Sequence, residues 1–221
     1  MIGILDFEIC NLTSVSSAVY NLGFDIKIIK IDQKDQLKEI SHLIIPGVGS
    51  FSNISQEYFE NKNFVAELDD YKKKGKPILG ICLGMQILFE TSHESTSSRG
   101  LGLISGEVKL LSSQVSKECI RSVPNIGYNL VSALDGVSGG FKEKLDMLSG
   151  YYYFLHSYAV FDRQLDVDIE GITKFAEKEF SSFFLKENLC GIQFHPERSG
   201  EQGLYFLDQI MNHFDIYYKK L

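Results

Sequence analysis

The chain has 221 residues, of which 44% are hydrophobic and 23% charged, and its formal net charge is −7. That length suits one domain with a sizeable core. The acidic balance argues against a nucleic-acid or anionic-membrane surface, because no basic run exceeds Lys72-Lys73-Lys74.

Taken in order, Ile2 to Leu5 reads as a first strand closed by Asp6. Leu12, Val15, Ala18, Val19 and Leu22 recur at helical spacing, and Gly23 is placed to cap that helix. Ile26 to Ile29, Leu43 to Ile45 and Ile78 to Ile81 are further short apolar strands. Between the last two, a long polar helical stretch ends near Lys74-Gly75-Lys76-Pro77, where Gly and Pro stop it. Its lysines then sit at the negative end of the helix dipole. Strand–helix alternation predicts a parallel sheet covered by helices on both faces. Ligands gather where loops leave the carboxyl ends of such strands. Two loops qualify, Asp6 to Asn11 and Pro46-Gly47-Val48-Gly49-Ser50-Phe51. The second lacks the Lys-Ser/Thr of a phosphate loop. Its glycines either let backbone N–H groups approach a ligand or simply make a tight turn.

From about Gly106 the texture changes. Glu107 to Leu111, Gly127 to Val131, Tyr151 to Leu155, Ser182 to Leu185 and Gly191 to Phe194 read as strands separated by turns. Leu204, Leu207, Ile210, Met211 and Phe214 form one face of a closing helix. Ser92–Arg99, Ser112–Glu118 and Asp135–Leu145 read as flexible loops. The fold class is therefore α/β: a mostly parallel central sheet with flanking helices, extra strands in the C-terminal half, and a single domain over 1–221.

Cys10, Cys82, Cys119 and Cys190 are too sparse for a disulfide framework and show no paired Cys-x-x-Cys spacing. The opening Met1-Ile2-Gly3-Ile4-Leu5-Asp6 lacks the basic and apolar regions of a signal peptide. The longest apolar stretch, around Leu79 to Phe89, falls far short of the ~20 residues of a membrane span. A reducing, cytoplasmic setting is expected, and it suits a free thiol.

The chemistry centres on Gly80-Ile81-Cys82-Leu83-Gly84, between the run Pro77-Ile78-Leu79 and the apolar segment Met85 to Phe89. A strand that breaks sharply into a helix crowds its own backbone and needs small residues on both sides of the turn. This is the logic of a nucleophile elbow, here with cysteine at its apex. Free N–H groups and the dipole at the helix start favour an anion there, and the thiolate is the reactive form. A buried cysteine at a tight corner is the bland alternative. Gln193-Phe194-His195-Pro196-Glu197 follows a strand-like run. Residues two apart in an extended segment point the same way, so Glu197 can orient the His195 imidazole, which can in turn take a thiol proton.

At these two motifs the chain resembles the triad (class I) glutamine amidotransferases. Gly80 to Gln86 and Gln193 to Glu197 are similar to the two signatures of that family, and Pro46 to Phe51 is similar to its oxyanion loop. Gly100 to Ile104, Val123 to Asn129 and Phe154 to Tyr158 extend the likeness, which is greatest towards the glutaminase subunits of imidazole glycerol phosphate synthases. The resemblance implies a flavodoxin-like sheet and amide hydrolysis through a thioester. Cys82 would attack the side-chain carbonyl of L-glutamine, with His195 and Glu197 completing the triad. Backbone N–H groups of Leu83 and of the Val48–Gly49 loop would hold the oxyanion. Gln86, Glu94, His156, Ser157 and Tyr158 would bind the substrate. It further implies a heterodimer with a separate (β/α)₈-barrel cyclase that receives the ammonia; the chemistry calls for no metal or organic cofactor.

Two blocks depart from the family pattern. Where the family usually has Asp-Tyr-Gly-x-Gly-Asn-Leu, this chain has Asp6-Phe7-Glu8-Ile9-Cys10-Asn11-Leu12, with both glycines replaced. Cys10 reads as a small buried residue. Asn125 and Tyr128 stand where His and Trp are common. In the resembling subunits these loops lie towards the synthase, so the departures bear on the partner and leave the triad untouched. The ammonia acceptor then belongs either to histidine biosynthesis or to a paralogous pathway that aminates a surface-glycan sugar. A cysteine hydrolase of esters or lactones, and a binding subunit with lapsed chemistry, are the other readings.

Overall fold

Short aliphatic runs alternating with amphipathic helices bury their apolar surface most completely as a sheet with helices on both faces. The computed structural model describes residues 1–8, 12–54, 62–95, 98–119, 122–133, 148–161 and 165–218. Its strands are β1 (Ile2–Asp6), β2 (Ile26–Lys30), β3 (His42–Ile45), β4 (Ile78–Ile81), β5 (Phe89–Ser92), β6 (Ser98–Arg99) and β7 (Ile104–Leu110). They continue as β8 (Asn125–Ala133), β9 (Gly150–His156), β10 (Tyr158–Val160), β11 (Ile169–Phe175), β12 (Lys178–Lys186) and β13 (Leu189–Ile192). The α-helices are α1 (Thr13–Asn21), α2 (Phe51–Ile54), α3 (Lys62–Lys73), α4 (Leu83–Gln86) and α5 (Gly200–Tyr218).

The main sheet has the order β2-β1-β3-β4-β13-β12-β11-β8-β9. It is parallel from β2 to β13 and antiparallel from β13 to β9. A second sheet runs β10-β7-β5-β6. Alternation along the strands sends successive side chains to opposite faces. Thus Ile44, Leu79 and Ile81 join Val15, Ala18 and Val19 of α1 and Phe206, Leu207 and Ile210 of α5 in one core. Leu43, Ile45 and Ile78 face the other way, onto Phe64, Leu68 and Tyr71 of α3. Helix α1 ends as its sequence predicts, with Gly23 in the left-handed region at φ +88°.

Differences arise where tertiary pairing overrides local pattern. The apolar segment after the elbow is helical only through Gln86. The carbonyls of Ile87 and Leu88 accept from Leu101 N (2.7 Å), Leu103 N (2.8 Å) and Ile104 N (3.1 Å), and Phe89 pairs with Ile104 as β5 begins. Within Ser92–Arg99, read as a flexible loop, Ser92 pairs with Ser98 across β5 and β6. Strand β11 carries no expectation from the sequence. Cys10 and the Asp135–Leu145 segment lie outside the described residues. Among those described, no helix is long and apolar enough to cross a membrane.

Candidate active site

Strand β4 delivers Cys82 into a sharp turn, φ 54° and ψ −109°, before the single turn of α4. Such backbone in a non-glycine residue costs about 1–3 kcal/mol and persists only when its surroundings enforce it. Here Cys82 N donates to Ile192 O at 2.6 Å, and Cys82 O accepts from Gln86 N at 3.1 Å. The flanking glycines are required by space. A Cβ on Gly84 would lie 1.7 Å from Ile45 O, and one on Gly80 would lie 2.5 Å from Gly84 O.

Strand β13 pairs in parallel with β4, Gly191 opposite Gly80 and Ile192 opposite Ile81, so both strands release their chains at one edge. This brings His195 to Cys82. The histidine backbone is pinned by its N–H on Tyr153 O (2.8 Å) and by Ser199 Oγ donating to its carbonyl (2.6 Å). Its Nδ1 donates to Glu197 Oε1 at 2.9 Å, with both side chains buried. That bond fixes the tautomer and leaves Nε2 as the ring's working nitrogen. Nε2 is buried and, among the described residues, no acceptor meets it in full hydrogen-bond alignment, while the Cys82 sulfur lies near enough to act on its proton. Burial opposes the charge on His195, but the sulfur and the Glu197 carboxylate outweigh it and hold its pKa up at about 10. The ring therefore keeps its proton, in place to meet the sulfur.

Beside the sulfur opens a cavity of about 340 Å³, the size of a small-molecule site. Val48, Gly49, Leu83, Gln86, Glu94, His156, Ser157 and Tyr158 all line it together with Cys82. Every residue expected around the substrate is thus brought to one place, while His195 and Glu197 line a separate, much smaller cavity. Glu94 Oε2 accepts from Phe51 N (2.5 Å) and Ser52 N (3.3 Å), tying the cavity to the start of α2. Burial, and then the charge of Glu94, raise the pKa of the Tyr158 hydroxyl. His156 is buried and its pKa is pushed down to about 4, chiefly by desolvation against the weaker help of the Tyr158 carbonyl. It is a neutral ring. Nδ1 donates to Tyr158 O at 2.9 Å, and Nε2 accepts from Asn125 Nδ2 at 3.0 Å.

One expected donor is engaged. Leu83 N–H donates to Gly47 O at 3.3 Å, so the carbonyl of the 46–51 loop occupies it. Sequence reasoning also missed participants. Gln193 is fully buried and contacts the sulfur, and Leu155 O lies 3.8 Å from it. Asn125, noticed only as a departure, is the partner of His156. Gln193 opens the Gln193–Glu197 motif, yet a buried amide carries no chemical signature of its own. Among the described residues, no group of three His, Cys, Asp or Glu could hold a metal ion.

The family model for class-I glutamine amidotransferases matches residues 3–212. This chain is a class-I glutamine amidotransferase. It is 34% identical over 214 residues to the imidazole glycerol phosphate synthase subunit HisH of Desulfitobacterium hafniense (strain DSM 10664 / DCB-2), covering 94% of this chain and 92% of that one. The HisH subunit of Aquifex aeolicus (strain VF5) is 36% identical over 210 residues, covering 93% of each chain. Among solved structures, PurLQS from Thermotoga maritima aligns with a TM-score of 0.68 at 21% identity, over 96% of this chain and 97% of that one. A crystal structure described as a glutamine amidotransferase aligns at 0.65 and 16% identity, over 97% and 98%. Those two likenesses are of fold. A class-I amidotransferase whose loop carbonyl occupies a backbone donor beside its thiol is arranged with that donor closed.

Proposed function

We propose that the chain is the glutaminase subunit of an imidazole glycerol phosphate synthase, a single catalytic domain that frees ammonia from L-glutamine for a separate cyclase. The observation that carries the reading is that the His195–Glu197 pair meets a Cys82 whose other side lines a cavity of about 340 Å³. The full-length similarity to HisH subunits supports the pathway.

In this mechanism the Cys82 thiolate attacks the side-chain amide carbon, and the carbonyl oxygen becomes an oxyanion. As the C–N bond breaks, His195 gives its proton to the departing nitrogen, leaving ammonia and a thioester. A water then loses a proton to His195 and adds to the thioester carbon. The C–S bond breaks, glutamate leaves and the thiolate–imidazolium pair returns. Gln86, Glu94, His156, Ser157 and Tyr158 hold the substrate: Glu94 takes its ammonium group, and the neutral His156 shapes the wall.

Oxyanion donors are the Leu83 N–H and the Val48–Gly49 peptide. With Gly47 O on Leu83 N, the first is closed, and a missing donor typically costs ~10²–10³ in rate. Turning that loop carbonyl away is the activating event, and a docked partner is the natural agent. Ammonia in neutral water is mostly ammonium, a poor nucleophile, so a (β/α)₈-barrel cyclase must receive it under shelter. The docking face is the exposed side of β8 and β9. Ile126, Tyr128 and Leu130 point one way there, with Tyr151 opposite Leu130, and Leu155 of the cavity wall opposite Ile126. A reducing, cytoplasmic setting fits the free thiols of Cys82, Cys119 and Cys190.

The test is glutamate release from L-glutamine. It should vanish in Cys82→Ala and rise at least several-fold when the cyclase and its substrate are added. A rate indifferent to both additions would refute a coupled amidotransferase.

A further inference from the structure

We infer that Gln193 is a working part of the thiol site: its side-chain amide donates to the Cys82 sulfur and holds it as an anion, with its orientation dictated by the Tyr158 carbonyl through Gln86. The inference rests on the reading of Cys82 as the nucleophile.

The Tyr158 carbonyl oxygen can only accept. Tyr158 O receives His156 Nδ1 at 2.9 Å and Gln86 Nε2 at 2.8 Å, so both its lone pairs are used. The end of Gln86 facing it must therefore be the NH₂. The second proton of that NH₂ goes to Gln193 Oε1 at 3.0 Å. Reversing the Gln193 amide would set NH₂ against NH₂, so Oε1 faces Gln86 and Nε2 faces the sulfur, 3.7 Å away. Neither amide is free to turn over, because the chain of bonds ends on a backbone carbonyl. Gln193 is fully buried, and its own N–H is fixed to Ser182 O at 2.8 Å.

The two neighbours of the sulfur respond oppositely to its protonation. Leu155 O, at 3.8 Å, can engage only a thiol, which donates its S–H. The Gln193 NH₂ engages a thiolate far better, since a hydrogen bond to an ionised acceptor is roughly twice as strong as a neutral one. Loss of the proton thus transfers the sulfur from the Leu155 carbonyl to the Gln193 amide and the His195 ring. An amide can do this in a buried site without adding a charge, which a lysine could not.

The test measures the rate of Cys82 alkylation by iodoacetamide against pH, independently of glutamine turnover. In Gln193→Met, a substitution of similar size without the donor, the midpoint of the profile should move up by about one pH unit. In Gln193→Glu, which keeps the acceptor for Gln86 but turns a carboxylate to the sulfur, it should move further. Gln86→Met, which releases the Gln193 amide, should shift it in the same direction by less. Superimposable profiles for wild type and Gln193→Met, with folding verified by the unfolding midpoint, would overturn the inference. If the midpoints shift while even the wild type with its partner releases no glutamate, the proposed function falls and the role of Gln193 stands.

Discussion

Acidification offers a quantitative test of the cavity wall. His156 is buried and neutral, its Nδ1–H on the Tyr158 carbonyl and its Nε2 accepting from Asn125. Its pKa falls from 6.5 to about 4, mainly through desolvation. A histidine depressed in the folded state stabilises the fold above its unfolded pKa, and that contribution is lost as pH falls towards the folded value. Between pH 7 and pH 5 the unfolded chain takes up a proton that the folded chain refuses, which costs about 2 kcal/mol for this one site. His42, lowered by burial against the pull of Asp215, works in the same direction. His195 works the other way, because its pKa is raised and its contribution is fully present below 6.5. Comparison with His156→Gln cancels both. Urea unfolding should show wild type losing about 2 kcal/mol more than the variant over this interval. Equal losses in the two proteins would refute the account of a neutral, desolvated His156.

Two further outcomes follow from the site. Glu94→Gln should raise KM for glutamine about tenfold or more, with a smaller change in kcat, because it would remove the charge-assisted bond proposed for the substrate ammonium; steady-state kinetics with the partner present would read it, and an unchanged KM would remove Glu94 from the substrate site. Tyr128→Arg, on a side chain 57% exposed, should weaken association with the cyclase while leaving unstimulated glutamine hydrolysis as it was, as titration calorimetry and a glutamate assay would show; undiminished affinity would move the docking face elsewhere.

Local physics made much of this protein legible. The parallel strands announce themselves as four- and five-residue aliphatic runs, and α1 as a helical stripe ending in Gly23, because burial periodicity and left-handed caps are properties of short segments. The elbow is equally local. Gly80 and Gly84 surround Cys82 because no larger residue fits, and a steric demand of that kind is written into five consecutive letters. His195 and Glu197 pair as their spacing of two suggests, but across the 3₁₀ turn Pro196–Arg198 and not along an extended segment.

Tertiary structure decided the rest. That Cys82 and His195 meet at all depends on β13 lying beside β4 in parallel, a pairing between distant segments. Helix α4 stops at Gln86 because residues 101–104 claim the carbonyls of Ile87 and Leu88, which no helical propensity could foresee. The closed Leu83 N–H, the neutral ring of His156 and the fixed amides of Gln86 and Gln193 likewise arise from which donor faces which acceptor in a desolvated interior. Sequence by itself determined which groups could do chemistry, since that follows from residue type and spacing. Only the packed chain decided their orientation and charge, because both are set by neighbours brought in from elsewhere along it.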